Sequence, residues 1–180
     1  VETLIVGAGA CGLIAALSAM EAGQEVLVIE ADAVPSGSTA LSAGLIPAAG
    51  TKIQQAAGIK DSSALFAADI QAKAHQENNQ ALVDLLAQNA AGVIDWLTET
   101  HNVPFSLVDD FDYPGHSSRR MHGLPTRAGA ELIDALRSAA ERAGIDIICG
   151  RRAETLYLEE GTIHGVAALR PEGGIETSGC

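Results

Sequence analysis

The stretch VETLIVGAGACGLIAALSAMEAGQEVLVIE, residues 1–30, decides how the rest of the chain is read. Residues 3–6 are an unbroken apolar run that breaks into Gly7-Ala8-Gly9-Ala10-Cys11-Gly12, and an alanine-rich helical pattern follows as far as Glu21. Ala22-Gly23 closes that helix, residues 25–29 read as a second buried strand, and an acid, Glu30, stands at its C-terminal end. A G-x-G-x-x-G set between strand and helix inside a βαβ unit is a dinucleotide-binding pattern with a mechanism behind it. Gly7 permits the sharp turn, Gly9 lets the backbone approach a diphosphate, and Gly12 lets the helix lie against the sheet. The diphosphate then rests on free N–H groups at the helix start. Glu30, eighteen residues after Gly12, is placed to accept hydrogen bonds from both hydroxyls of an adenosine ribose and would repel a 2′-phosphate. The motif alone leaves FAD, NAD and a plain glycine-rich turn all open.

Composition narrows the field. A chain of 180 residues with 47% hydrophobic content is the size of one domain with a substantial core. The net charge is −12 and the 11 basic residues are scattered apart from Arg119-Arg120 and Arg151-Arg152, which argues against nucleic acid or an anionic membrane as partner. No apolar run reaches the roughly 18 residues of a membrane span. A cytoplasmic location is expected, although the chain begins at Val1 without an initiator Met, which leaves an export signal open. Cys11, Cys149 and Cys180 are far apart and odd in number, so neither a disulfide framework nor a zinc site is expected. Five histidines show no metal-ligand spacing and are expected mostly at the surface, and no metal is expected.

Residues 31–51, ADAVPSGSTALSAGLIPAAGT, are nearly free of charge and dense in small residues. Such a segment is too irregular for one long helix and too apolar for a disordered linker, and reads as backbone laid closely over a large flat ligand. Pro35-Ser36-Gly37-Ser38-Thr39 followed by Leu41-Ser42-Ala43-Gly44-Leu45 resembles the second FAD-contacting segment of the fumarate reductase and succinate dehydrogenase flavoprotein family. The likeness continues through Thr51, Gln55, Gly58-Ile59, Asp61-Ser62, Phe66 and Asp69. It then runs into Gly115-His116-Ser117-Ser118-Arg119-Arg120-Met121-His122 with Thr126 and Gly129, similar to a block of the L-aspartate oxidase and succinate dehydrogenase branches. Ser36 and Leu45 stand where the family has glycine.

The resemblance implies FAD bound through Gly7, Ala8, Gly9, Cys11, Gly12, Glu30, Ala31, Gly37, Ser38, Thr39, Ser42, Ala43, Gly44, Leu45 and the backbone at Ala153. Ser38 occupies the position of the histidine that succinate dehydrogenases bond to the flavin, so the FAD is expected to be non-covalent. The implied activity is hydride transfer between flavin and a small carboxylate or carbonyl-activated C–C bond, with a dicarboxylate as a candidate substrate and the electron partner open. A redox-inactive nucleotide-binding module and an NAD-dependent dehydrogenase are the alternatives. His116, Arg119, Arg120 and Arg127 are the candidate substrate-side groups, because an arginine fork suits a carboxylate and a histidine can move a proton.

Between residues 62 and 101 the pattern is helical, with a cap at Ser62 or Ser63 and an apolar stripe of Leu82, Leu85, Leu86, Ala90, Val93, Ile94 and Leu97 expected against a neighbour. Trp96 is expected at the core edge, and residues 102–123 as a long connection. A helix over residues 127–143, capped by Thr126 and ended by Gly144, leads to a buried strand at 145–149. Three alternating runs, 153–158, 163–170 and 175–180, make an antiparallel meander appended to the parallel sheet. The expected class is α/β, a Rossmann-like FAD-binding fold with that meander, incomplete at its C-terminus. On this reading residues 1–180 are the N-terminal part of an FAD-binding domain, a piece of a longer enzyme whose capping domain and C-terminal flavin segment lie elsewhere.

Overall fold

A computed structural model describes residues 1–179, which divide into two compact units, 1–42 with 129–179 and 43–128. In the first unit β1 (Thr3–Val6), β2 (Val26–Ile29) and β6 (Asp146–Ile148) form a parallel sheet in the order β1-β2-β6. Register pairs Val6 with Ile29 and Ile29 with Ile148, so the strands end together at the glycine turn. Helix α1 (Ala10–Glu21) buries Leu13, Ala16 and Leu17 beneath the sheet, and α6 (Gly129–Arg142) adds Leu132, Ile133, Leu136, Ala139 and Ala140, a face spaced by threes and fours. β7 (Arg152–Glu159), β8 (Thr162–Leu169) and β9 (Ile175–Gly179) form the antiparallel meander, with Ile29, Val166 and Ala168 sharing a buried cluster. The expected fold class is what is found; Cys180, the end of the last expected run, lies outside the described residues.

The segment read as irregular contains a short helix, α2 (Gly37–Leu41), and a two-residue strand, β3 (Ile46–Pro47). α2 packs on α6 so tightly that a Cβ on Gly129 would lie 1.8 Å from Thr39 O, which is why glycine opens α6. The expected start of that helix at residue 127 is corrected by two residues. Arg127 has φ +51, a left-handed conformation outside any helix.

The second unit holds α3 (Lys52–Ala56), α4 (Ser63–Lys73) and α5 (Gln80–Glu99) beside a small sheet, β3-β5-β4, in which β4 is Ser106–Leu107 and β5 is Met121–Gly123. The stretch 102–123 is thus only partly a loop. Ser62 caps α4 through Leu65 N, as expected, and Asn79 caps α5 through Leu82 N. The expected stripe on α5 is half wrong. Val83, Ala87, Ile94 and Leu97 are the buried face, with Ala87 against Phe66 of α4, while Leu82 and Leu85 remain 65% and 61% exposed. Two apolar faces one residue out of phase were present, and only packing decided which was core.

His122 and His101 are buried, against the expectation of surface histidines; His101 stacks edge-on to the core-edge Trp96 at 4.5 Å. His122 Nδ1 lies 3.0 Å from Arg120 O, which can only accept, so Nδ1 carries the hydrogen. Its Nε2 therefore accepts from the Thr51 hydroxyl at 2.9 Å, and the Thr51 oxygen in turn accepts Gln54 N–H at 3.1 Å in the capping box of α3. Burial pushes the His122 imidazole below its ordinary value. The unfolded chain then takes up a proton near pH 6.5 that the folded chain refuses, so stability present above that pH is lost as pH falls below it. The unfolding free energy should drop between about pH 7 and pH 5 with a slope of at most about 1.4 kcal/mol per pH unit for this group, and the melting temperature should fall with it. His122→Asn should flatten that part of the profile; an unchanged profile would clear His122 of the effect.

Candidate dinucleotide site

The geometry at the glycine turn matches what a dinucleotide needs. Gly7, at φ +101, has nothing within 4 Å of a Cβ built on it, and for Gly9 the nearest atom is Thr39 Oγ1 at 3.8 Å. The turn faces open space rather than packed side chains. Gly12 is the opposite case: a Cβ there would stand 1.9 Å from Gly7 O and 3.3 Å from Ile5 Cγ2. Only glycine lets α1 lie this close to the end of β1. The first α-helical bond runs from Leu13 N to Gly9 O, so the N–H groups of Cys11 and Gly12 have no carbonyl four residues back within the helix. The Ala10 N–H is taken by the Thr39 hydroxyl at 3.1 Å, a contact between two segments expected to serve the same ligand.

Glu30 faces this turn. Its Oε2 accepts Ala8 N–H at 2.8 Å and its Oε1 accepts Asp32 N–H at 2.9 Å, which fixes both oxygens and leaves each with a further lone pair. The backbone on either side is pinned to the end of β6 by Glu30 N to Ile148 O at 2.9 Å and Arg151 N to Glu30 O at 2.7 Å. Cys149, partly buried near Glu30, has its thiol pushed up by burial and then by the Glu30 charge, and Cys11 is exposed.

The remaining expected residues are distributed unevenly. Ala31 is exposed just past Glu30, Gly37 opens α2 at φ +55, and Ser38 is exposed on it. The Ser42 hydroxyl donates to Thr39 O at 2.7 Å, and Ser42 O receives Gly129 N–H at 2.8 Å. Ala153 lies on β7 opposite Ala168, where the register slips before Thr155. In the second unit Ala43 is exposed, Gly44 is buried at φ +61, and Leu45 covers Gly123, whose added Cβ would meet Leu45 Cδ2 at 2.6 Å.

The candidate substrate-side group breaks up. Arg120 is fully buried: its Nε and Nη2 donate to the two oxygens of Asp61 at 2.9 and 3.0 Å, and its Nη1 to Asp69. The ring of Phe66 lies 4.9 Å from its guanidinium carbon. Such an arginine has no face left for a substrate, which corrects the expectation. Arg119 is exposed and paired with Asp112 at 2.7 Å, and Arg127 with Asp110 at 2.8 Å. His116 is half-buried. Sequence reasoning named Asp61, Asp69 and Arg120 without seeing that they pair; two acids eight residues apart on one helix entry and an arginine far along the chain give no local signal. Among the described residues no group of acids, histidines and cysteines could hold a metal, and no helix is long and apolar enough to cross a membrane.

The chain is similar to a probable fumarate reductase of Shewanella frigidimarina, 33% identical over 88% of this chain and 27% of that protein. It is also similar to the L-aspartate oxidase of Halobacterium salinarum, 29% identical over 91% of this chain and 31% of that one. Among solved structures, the open conformation of a flavocytochrome c3 fumarate reductase superposes with a TM-score of 0.87 at 31% identity, covering 99% of this chain and 32% of that one. The chain thus spans about a third of the length of these relatives. The FAD binding domain family matches residues 2–179, nearly the whole sequence, and this chain belongs to it, with FAD rather than NAD as its cofactor.

Proposed function

We propose that this chain is the FAD-binding part of an oxidoreductase that reduces or oxidises a C–C bond beside a carboxylate, with a small dicarboxylate as substrate. The carboxylate of Glu30, fixed by Ala8 and Asp32 N–H beside an open glycine turn, is the observation that carries the reading. Glu30 accepts the ribose hydroxyls of the adenosine, and its charge repels a phosphorylated ribose. The first-turn N–H groups of Cys11 and Gly12 meet the diphosphate, aided by the positive end of α1. Thr39, tied to Ala10 N, holds the 37–42 segment, with Gly37, Ser38 and Ser42, against the same turn, and Gly7, Ala8 and Gly9 supply bare backbone. Ala31 and the backbone of Ala153 complete the proposed contact set of the first unit. When bound, FAD supplies hydride transfer at its ring system. The names of the fumarate reductases to which the chain is similar support a dicarboxylate substrate.

Two results test this. Glu30→Gln in the full-length protein should weaken FAD binding roughly 10- to 100-fold, the range for charge-assisted hydrogen bonds worth about 1.5–3 kcal/mol. Unchanged flavin retention on dialysis would remove Glu30 from the site. Ser38 has no imidazole with which to bond the flavin, so acid precipitation should release all of it into the supernatant. Flavin retained in the pellet would refute non-covalent binding.

A further inference from the structure

The turn at residues 113–118 in the second unit is held by more contacts than a surface loop needs. Lys73 Nζ donates to Pro114 O at 3.0 Å and lies 5.7 Å from the Tyr113 ring centroid. Asp69 accepts the Ser117 N–H at 2.8 Å and the Ser117 hydroxyl, and is itself fixed by the buried Arg120. Gly115, at φ +85, passes so close to α4 that an added Cβ would lie 3.0 Å from Lys73 Cδ. The side chain oriented by all this is His116. Its ring stands edge-on to Phe66 at 6.3 Å and tilted against Tyr113 at 5.2 Å.

The Nδ1 of His116 is buried without a hydrogen-bond partner. Such a group costs about 1–3 kcal/mol when nothing completes it, so its retention in a deliberately fixed turn points to an occupant. His116 lines two cavities. One, of about 260 Å³, includes Asp69, Lys73 and Gly115; the other, of about 400 Å³, includes Asp112, Tyr113, Ser117, Ser118 and Arg119. In the larger one Asp112 takes the Nε hydrogen of Arg119, which leaves the four Nη hydrogens of that fork. Asp69 nearby already receives Ser117 and Arg120. The Nη hydrogens of Arg119 are the charged donors at this cavity, with Asp109 and Asp110 as well as Asp112 acting on that charge. Burial, and then the charge of Arg120, hold the His116 imidazole below its ordinary value, so near neutral pH the ring is uncharged and offers one N–H and one lone pair.

We infer that this cavity is a binding site for a small carboxylate, gripped by the Arg119 fork and closed by the His116 ring. Arginine's planar fork matches a carboxylate in two parallel bonds, and an uncharged imidazole adds a hydrogen bond without demanding a second anion. The site stands apart from the flavin reading, and it holds or fails on residues of the second unit alone.

The test is protection from carbethoxylation, read residue by residue by mass spectrometry on the full-length flavoprotein with malonate as probe. Near saturation malonate should slow modification of His116 at least about fivefold, following the occupancy factor 1 + [L]/Kd, while the exposed His164 reacts at an unchanged rate. Arg119→Gln should abolish the protection; its ion pair with Asp112 is at the surface, so folding is not at stake. Equal His116 rates with and without malonate would overturn the inference. So would protection that survives in Arg119→Gln, or a His116 inert to the reagent throughout, since the ring must be reachable. Flavin content measured on the same samples separates this outcome from any failure of the cofactor reading.

Discussion

A Gly12→Ala protein is expected to lose most of its flavin and to melt well below the wild type. The added methyl would stand 1.9 Å from Gly7 O and 3.1 Å from Gly7 C, both backbone atoms that no rotamer change can move aside. Relief requires α1 to lift off the end of β1, which carries the first-turn N–H groups away from the diphosphate position. Overpacking of this kind costs about 1–3 kcal/mol, with backbone obstruction at the upper end or beyond. Gly9 provides the matched control. It has φ −71, which any residue adopts, and its nearest neighbour to a new Cβ is 3.8 Å away. Gly9→Ala should therefore leave the melting temperature nearly unchanged and weaken FAD binding alone, because its methyl meets only what is laid over the turn. Thermal melts and flavin absorbance on both variants decide the matter. A Gly12→Ala protein as stable and as yellow as wild type would refute the close-packing argument.

Arg120→Met should cost about 3–5 kcal/mol, the penalty for leaving a buried carboxylate without its partner. The Asp61 side chain is fully buried and its two oxygens are bonded to Arg120, so methionine removes both charge-assisted bonds and leaves the carboxylate with only the neutral donors Gln54 Nε2 and Ser62 N–H, and no positive charge beside it. Asp69 loses less, since Ser117 still donates to it twice. Although burial pushes the Asp69 carboxyl up, the Ser117 and Arg120 hydrogen bonds outweigh it and keep it below its ordinary value. Against a domain stability of about 5–15 kcal/mol, the loss is a large share of the whole. Adding Asp61→Asn and Asp69→Asn to Arg120→Met should recover part of it, because a neutral cluster no longer buries an unpaired charge, while the new amide nitrogen at position 61 faces another donor, Gln54 Nε2 or Ser62 N–H. Urea denaturation reads both steps; a single variant within about 1 kcal/mol of wild type would show that the cluster is not the anchor described.

The first thirty residues were legible because each requirement there is local. A strand, a turn needing glycine, a helix and an acid at fixed spacing leave their marks within one window, and the structure places Gly12 and Glu30 as that spacing demands. The meander was legible for the same reason, its alternation and turns lying side by side in sequence. What escaped depends on distance. Arg120 read as a candidate fork for a substrate carboxylate, and nothing near it announces that Asp61 and Asp69 enclose it. The α5 stripe failed because Leu82 and Val83 both belong to plausible apolar faces, and the choice is made by Phe66 and Ala49 elsewhere in the chain. His122 carries no sequence mark of burial; its pairings with Thr51 and the Arg120 carbonyl make burial affordable.

The clasp that β6 places on Glu30 also sets an order of events during synthesis. Glu30 N–H waits for Ile148 and Glu30 O for Arg151, more than a hundred positions downstream. While the ribosome is still making the second unit, strand two hangs on β1 alone and the Glu30 backbone lacks its bonds to the β6 end, because contacts between distant positions form late. On the proposed Glu30 contact, flavin capture follows emergence of this clasp, and nascent chains arrested before residue 151 clears the exit tunnel should not retain the coenzyme.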